Sequence, residues 1–248
     1  MKRIIFLLTA IFMCIGAHAA TETINWYMDG NTYATTQCET GSDIILPQTP
    51  YKYGYTFNGW LANYTPIEYL ESTGTQWIDT GIKPTKNTKI NIVLQLTALR
   101  EDYVFGFYDS NGQYYLYVNV NGQWQWGWSS QYRNIGKADT QKHNIKIYSE
   151  AGISKIEIDN IVIDSAQLLS HNAGVNTPLF KGLQNNSGYS GLPQKLYSAQ
   201  IYDNDVLVRD FIPVLDKDGV PCMYDKVEGK FYYNAGTGQF IAGPVIEE

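Results

Sequence analysis

Apolar and polar residues alternate in short runs along most of the chain. Lys89 to Leu96 puts Ile90, Ile92, Leu94 and Leu96 on one side, and His143 to Tyr148 does the same with Ile145 and Ile147. Ile156 and Ile158 lead to Asp159-Asn160, a predicted hairpin tip, before Ile161 and Ile163. Leu196 to Tyr202 and Val206 to Phe211 make a further pair around Asp203-Asn204-Asp205. A period of two belongs to strands with one buried face, and polar turn residues between such runs belong to antiparallel sheets. Long helical patterns are absent. The nearest is Asp164 to Ser170, where Ala166, Leu168 and Leu169 predict one or two turns at most.

The most specific pattern spans Tyr103 to Ser129, three strand-like runs joined by Asn111-Gly112 and Asn121-Gly122. Asn-Gly suits the two-residue hairpin turn because both central residues need positive φ. Such turns set Ser110 opposite Gln113 and Val120 opposite Gln123. One side then carries Tyr103, Phe105, Phe107, Tyr114, Leu116, Val118 and Val120. The other carries Gly106, Tyr108, Tyr115, Tyr117, Asn119, Trp124, Trp126 and Trp128. The first side is the predicted core, and the aromatic side needs a reason to exist.

Composition changes the picture at the amino terminus. Lys2 and Arg3 precede an apolar run from Ile4 to Ile15, and Ala17-His18-Ala19 offers the small-x-small pattern of signal peptidase sites. Residues 1–19 therefore read as a secretory signal, and the apolar run is too short to cross a bilayer. Met13 before Cys14 is too bulky for a lipidation signal. The whole chain has 18 basic and 24 acidic residues and a net charge of −6. The signal holds two of the basic residues and none of the acidic, so cleavage takes the charge to −8. An acidic chain without a long basic run argues against nucleic acid and anionic membranes as partners. The expected location is extracellular, the cell surface or the periplasm. Only Cys38 and Cys222 remain after cleavage; in an oxidising compartment they are candidates for a disulfide, the alternative being two buried free thiols. Their spacing, with His143 and His171 beside them, fits no metal-ligand pattern.

Two units follow the signal. The first, residues 20–62, has Ile24 to Met28 and Tyr33 to Cys38 flanking Asp29-Gly30, then Gly41, Ile44-Ile45-Leu46-Pro47 and the closing Gly54-Tyr55-Thr56-Phe57-Asn58-Gly59-Trp60. This succession resembles the Listeria-Bacteroides repeat of internalin-type bacterial surface proteins, which implies a small β-grasp-like fold. Tyr55, Phe57 and Trp60 would supply the core of a unit too small for much else. Residues 63–66 form a linker. From Ile67 to Gly81 the sequence resembles the opening of concanavalin A-like, laminin G-like domains of exported bacterial proteins. Arg209-Asp210-Phe211-Ile212-Pro213, Met223-Tyr224-Asp225 and Phe231-Tyr232-Tyr233-Asn234 resemble their closing strands. The resemblance implies that residues 67–248 form a two-sheet antiparallel jelly-roll sandwich. The fold class is thus all-β throughout, and a fold of this kind fixes no function.

Three chemistries can be weighed on residues. Glucanases of this fold need two carboxylates about 5 Å apart on one strand face, as a Glu-x-Asp-x-x-Glu run supplies. Glu157-Ile158-Asp159 starts that way, but the next carboxylate position is Val162, or Ile161 in a shorter variant. No Gly-x-Ser-x-Gly elbow is present for a serine hydrolase. Asp216-Lys217-Asp218-Gly219 is a fragment of a calcium loop without its distal bidentate acid, and Asp203 and Asp205 read as turn residues like it. No cofactor is expected. The aromatic side remains: Trp124, Trp126 and Trp128 recur about 6.8 Å apart, near the length of a sugar residue. With Tyr108, Tyr115, Tyr117 and Asn119 they suit a glycan-stacking surface, with Gly106 leaving space for a groove. The same rings equally suit a buried core, should a bulge shift the turn, or a protein interface. The sequence thus points to an exported, non-catalytic recognition module for glycan, with a cell-surface protein as the alternative partner and glycoside hydrolysis third.

Overall fold

A computed structural model describes residues 2–4, 7–9, 21–28, 31–39, 42–57, 61–62, 64–109, 112–167, 173–184, 187–188 and 191–246. Every regular element among them is a strand. The chain divides into two units, Met1–Tyr64 and Thr65–Glu248.

In the first unit Thr21–Met28 pairs antiparallel with Asn31–Glu39, Met28 standing opposite Asn31. Alternation along the first of these strands buries Ile24 and Trp26, and the Trp26 indole donates to the Thr36 hydroxyl at 2.8 Å. Leu7–Thr9 lies between Thr21–Met28 and Leu61–Ala62, and Lys2–Ile4 runs parallel to Tyr55–Phe57. Ile44, Ile45 and Leu46 are exposed and outside any strand. The expected Asp29-Gly30 turn, the cleavage site at Ala19 and the closing Asn58-Gly59-Trp60 lie outside the described residues.

The second unit is a sandwich of two sheets. Its main strands are β1 (Thr88–Leu96), β2 (Asp102–Asp109), β3 (Gly112–Val118), β4 (Gln123–Ser129), β5 (Gln131–Lys137), β6 (Lys142–Glu150), β7 (Ile153–Ile158), β8 (Ile161–Gln167), β9 (Gln194–Asp203), β10 (Val206–Leu215), β11 (Pro221–Asp225) and β12 (Lys230–Tyr232). One sheet runs β8-β7-β6-β1-β9-β10-β11-β12. The other runs β5-β4-β3-β2 and continues through Pro178–Leu179 to Ile78–Asp79. The inward rows form one core, in which Ile90, Ile92, Leu94, Ile145, Ile147, Ile156 and Leu196 of the first sheet meet Phe105, Phe107, Leu116 and Val118 of the second.

Two hairpins form on the turn chemistry read from the sequence. Asp159 and Asn160 both have positive φ between the paired Ile158 and Ile161, as do Asn204 and Asp205 between Asp203 and Val206. Asx residues tolerate that conformation at small cost. The helical turns expected from Asp164 to Ser170 do not form where the chain is described. β8 continues through Gln167, because pairing with β7 satisfies a backbone that a single helical turn would leave mostly unbonded.

Candidate functional site

The three-strand meander keeps its predicted strands but not its predicted faces. At the first turn Asp109 stands opposite Gly112, and Phe107 opposite Tyr114. Relative to the expected pairing this is a slide of two residues, which leaves every side chain on its own face. The second turn differs by one. Asn119 pairs its N–H with the Gln123 carbonyl at 2.9 Å, its carbonyl accepts from Gly122 at 2.8 Å, and Gly122 takes φ +68°. The loop therefore has three residues, Val120, Asn121 and Gly122, the usual geometry of a type I turn followed by a left-handed glycine. The Asn119 carboxamide oxygen fixes it by accepting from the N–H groups of Asn121 (2.9 Å) and Gln123 (3.1 Å).

A slide of one residue inverts the whole of β4. Trp124 stands opposite Val118 and Trp126 opposite Leu116, and all three tryptophans point into the sandwich. Trp126 is 1% exposed. The expected glycan surface on Trp124, Trp126 and Trp128 is thus corrected to core, Asn119 to a turn-fixing residue, and Val120, expected inside, is exposed at the loop tip.

Tyrosines form the outer face instead. Across the strands one lateral row reads Gly182, Gly106, Tyr115, Gly127, Tyr132, and the next reads Tyr103, Tyr117, Gln125, Asn134. Tyr103 was expected inside. A bulge between Tyr103 and Phe105 sends Val104 to the core and turns Tyr103 outward. Its ring meets Tyr115 and Tyr117 edge-to-face, with centroids 5.4 and 4.9 Å apart.

Glycine makes room for these rings. A Cβ at Gly127 would stand 2.4 Å from Cε1 of Tyr115, and one at Gly182 would stand 2.2 Å from Cγ of Tyr103, so the rings lie down over bare backbone. Gly106 does not open the groove expected of it: a Cβ there would meet the Tyr114 carbonyl oxygen at 2.1 Å, and its φ is +108°. Tyr115 is the buried floor of the cluster, while Tyr108 and Tyr132, 41% and 64% exposed, flank it. The Tyr115 hydroxyl donates to Gln125 Oε1 at 3.2 Å and Tyr117 donates to Glu101 at 2.8 Å. Gln125 Nε2 in turn donates to Asn134 Oδ1 at 2.9 Å. Burial raises the hydroxyl pKa of Tyr115 and Tyr117 well above the ordinary phenol value, and Glu101 adds to it at Tyr117, so both stay neutral donors. A face of neutral rings edged by carboxamides can stack on apolar ring faces and exchange hydrogen bonds with hydroxyl groups.

The other predicted chemistry is dispersed. Glu157 points outward from β7, pairing with Lys146 at 3.3 Å and accepting from the Tyr148 hydroxyl. Asp159 sits at the hairpin tip, holding His143 at 2.7 Å and the Asn144 N–H at 2.9 Å. Asp216 is a turn cap whose Oδ1 accepts from Asp218 and Val220 N–H, each at 2.9 Å, while Oδ2 takes the Tyr233 hydroxyl. Among the described residues no group of three or more His, Cys, Asp and Glu is arranged to hold a metal ion. Cys38 and Cys222 are both free thiols. Cys222 is buried inside the second unit, and burial pushes its thiol up to about 12.

No protein-family model matches the sequence, and no curated protein does. Among solved structures, a candidate carbohydrate-binding protein from Bacteroides ovatus ATCC 8483 aligns with a TM-score of 0.53 at 7% identity, over 94% of this chain and 70% of that one. At that identity the likeness speaks for the fold alone. A sialidase from Trypanosoma rangeli aligns with a TM-score of 0.41 at 8% identity, over 66% of this chain and 34% of that one.

Proposed function

We propose that the chain is an exported, non-catalytic module that recognises glycan through the tyrosine face of β2, β3, β4 and β5. The observation that carries this is the tyrosine cluster itself: Tyr115 lies over Gly127 as a buried floor, and Tyr108 and Tyr132 flank it exposed, a neutral, hydroxyl-edged aromatic surface of the kind a pyranose ring packs against. A face serving only to shed water would not assemble Tyr103, Tyr108, Tyr115, Tyr117 and Tyr132 on one side. The Bacteroides ovatus protein of the same fold, with its candidate role in carbohydrate binding, agrees with the reading. Export rests on residues 1–19 of the sequence. The experiment is a glycan array probed with residues 20–248. Binding to a defined glycan class is expected, whereas tight capture of a cell-surface protein without response to any sugar would transfer the face to the adhesin alternative.

A further inference from the structure

The outward face of the opposite sheet carries a groove of about 390 Å3 over β6, β1 and β9, within the range of small-ligand sites. Its floor is a lateral row, Glu157, Lys146 and Asn91, with Gln200 next along the row on β9. Its two ends are aromatic. Lys89 pairs with Tyr202 on β9, and Ile90 pairs with Ile147 on β6, so Tyr148 and Tyr202 flank β1 at the same level, two strand spacings or about 10 Å apart.

The groove is charged yet neutral overall. Lys146 is held by Glu157 at 3.3 Å and by Asn160 Oδ1 at 3.0 Å, and Lys89 is paired with Asp205. Two cations matched by two carboxylates leave no net field for an anion or a cation. What they leave is an alternation of fixed donors and acceptors. Asn91 Oδ1 is buried and accepts no hydrogen bond, a costly omission for an amide carbonyl. Asn91 lines the groove, and a half-turn of its amide exchanges the places of oxygen and nitrogen.

From this we infer a second binding site, independent of the tyrosine face, for a neutral polyhydroxylated ligand of one or two sugar rings. Vicinal hydroxyls both donate and accept, so one can donate to Asn91 Oδ1 or Glu157 while its neighbour accepts from Lys146. The rings of Tyr148 and Tyr202 cover the apolar faces at either end. With sites on both outer faces of one sandwich, a single chain could bridge two glycan strands, and linked binding of that kind raises avidity without new contacts.

The test is a heteronuclear NMR titration of 15N-labelled residues 20–248 with cellobiose, lactose, maltose and N,N′-diacetylchitobiose, with a sulfated heparin disaccharide and inorganic phosphate as charged probes. At least one neutral disaccharide should shift the amides around Asn91, Lys146 and Tyr202. Asn91→Ala and Tyr202→Ala should weaken that response roughly tenfold or more. Tyr202→Phe, which keeps the ring and removes only the hydroxyl that bonds Gln200, should retain it. Tyr132→Ala, on the opposite face, should leave the groove response unchanged, so failure of either site is read separately. The spectra themselves report whether each variant is folded. The inference is overturned if no groove amide shifts with any neutral disaccharide at millimolar concentrations, if only the charged probes shift them, or if folded Asn91→Ala responds like the parent.

Discussion

The Trp126 indole nitrogen donates to Asp164 Oδ2 at 2.9 Å, joining β4 of one sheet to the edge strand β8 of the other. Arg133 of β5 approaches the same carboxylate at 3.4 Å. Trp126 is therefore a core residue with one polar end, and its partner marks where the sheets meet. Trp126→Ala should destabilise the sandwich by about 3–5 kcal/mol. Asp164→Ala, which leaves the indole N–H without that acceptor, should cost about 1–3 kcal/mol. Combined, they should cost less than their sum, because both remove the same bond. Urea unfolding of the four proteins is the check, and a loss within about 1 kcal/mol for Trp126→Ala would return the ring to the surface.

Gly127 and Tyr115 should be coupled in the same way on the outer face. A methyl at Gly127 overlaps the Tyr115 ring, so Gly127→Ala should lift that ring and cost about 1–3 kcal/mol. In a Tyr115→Ala background the same substitution should cost much less. A thermodynamic cycle measures the difference, and equal costs in both backgrounds would mean that the ring does not lie over the glycine.

Much of this was legible in the chain, and the part that was not has a local cause. Alternation placed Phe105, Phe107, Leu116 and the isoleucines of β1 and β6 in the core, and Asp159-Asn160 marked a hairpin tip, because burial on one face and positive φ at Asx each leave a mark in the sequence. Asn121-Gly122 marked a turn too, but the dipeptide does not say which residues close it. Two hydrogen bonds accepted by the Asn119 side chain chose three residues over two, and that single step carried the tryptophans inside. The bulge at Val104 brought Tyr103 out by the same arithmetic. A dense run of tyrosine and glycine was the available sign of an outer aromatic face, and Tyr132 was missed because it lies beyond the meander, on β5.

His143 gives the sandwich a pH-dependent clasp. Its Nδ1 meets Asp159 at 2.7 Å and its Nε2 meets Asp139 at 2.9 Å, tying the loop after β5 to the β7–β8 tip. Burial alone would lower its pKa, but the two carboxylates outweigh it and raise it. Asp159 is lowered by the Asn144 N–H and then by His143; at Asp139 burial works upward, and the Gln141 N–H and His143 overcome it. A raised histidine stabilises fully below its unfolded value of about 6.5 and loses that contribution as pH rises through the folded value. The lowered carboxylates stabilise above about 3.9 and lose it as pH falls through their folded values. The clasp is strongest between these limits. His143→Gln should cost more unfolding free energy, measured in urea, at about pH 5.5 than at about pH 9, the difference being under roughly 1 kcal/mol for a partly exposed cluster. Equal effects at both would contradict the clasp.

The thiols and the amino terminus can be read in one mass spectrum. Protein recovered from the exporting cell should begin at Ala20 and carry two alkylatable thiols once denatured, with Cys222 unreactive while folded because it is buried and its thiol is pushed up to about 12. A mass two hydrogens short with no thiol to alkylate would establish the bridge, and a chain still beginning at Met1 would remove the case for export.

Glycan recognition by the tyrosine face is tested most directly by calorimetric titration of the glycan identified on the array into the parent and Tyr132→Ala. Tyr132 is 64% exposed, so its removal should leave the unfolding midpoint almost unchanged. Affinity should nevertheless fall roughly tenfold or more, as for an aromatic anchor at the centre of a contact. Unchanged affinity in a folded Tyr132→Ala protein, or no binding by the parent, would contradict the assignment.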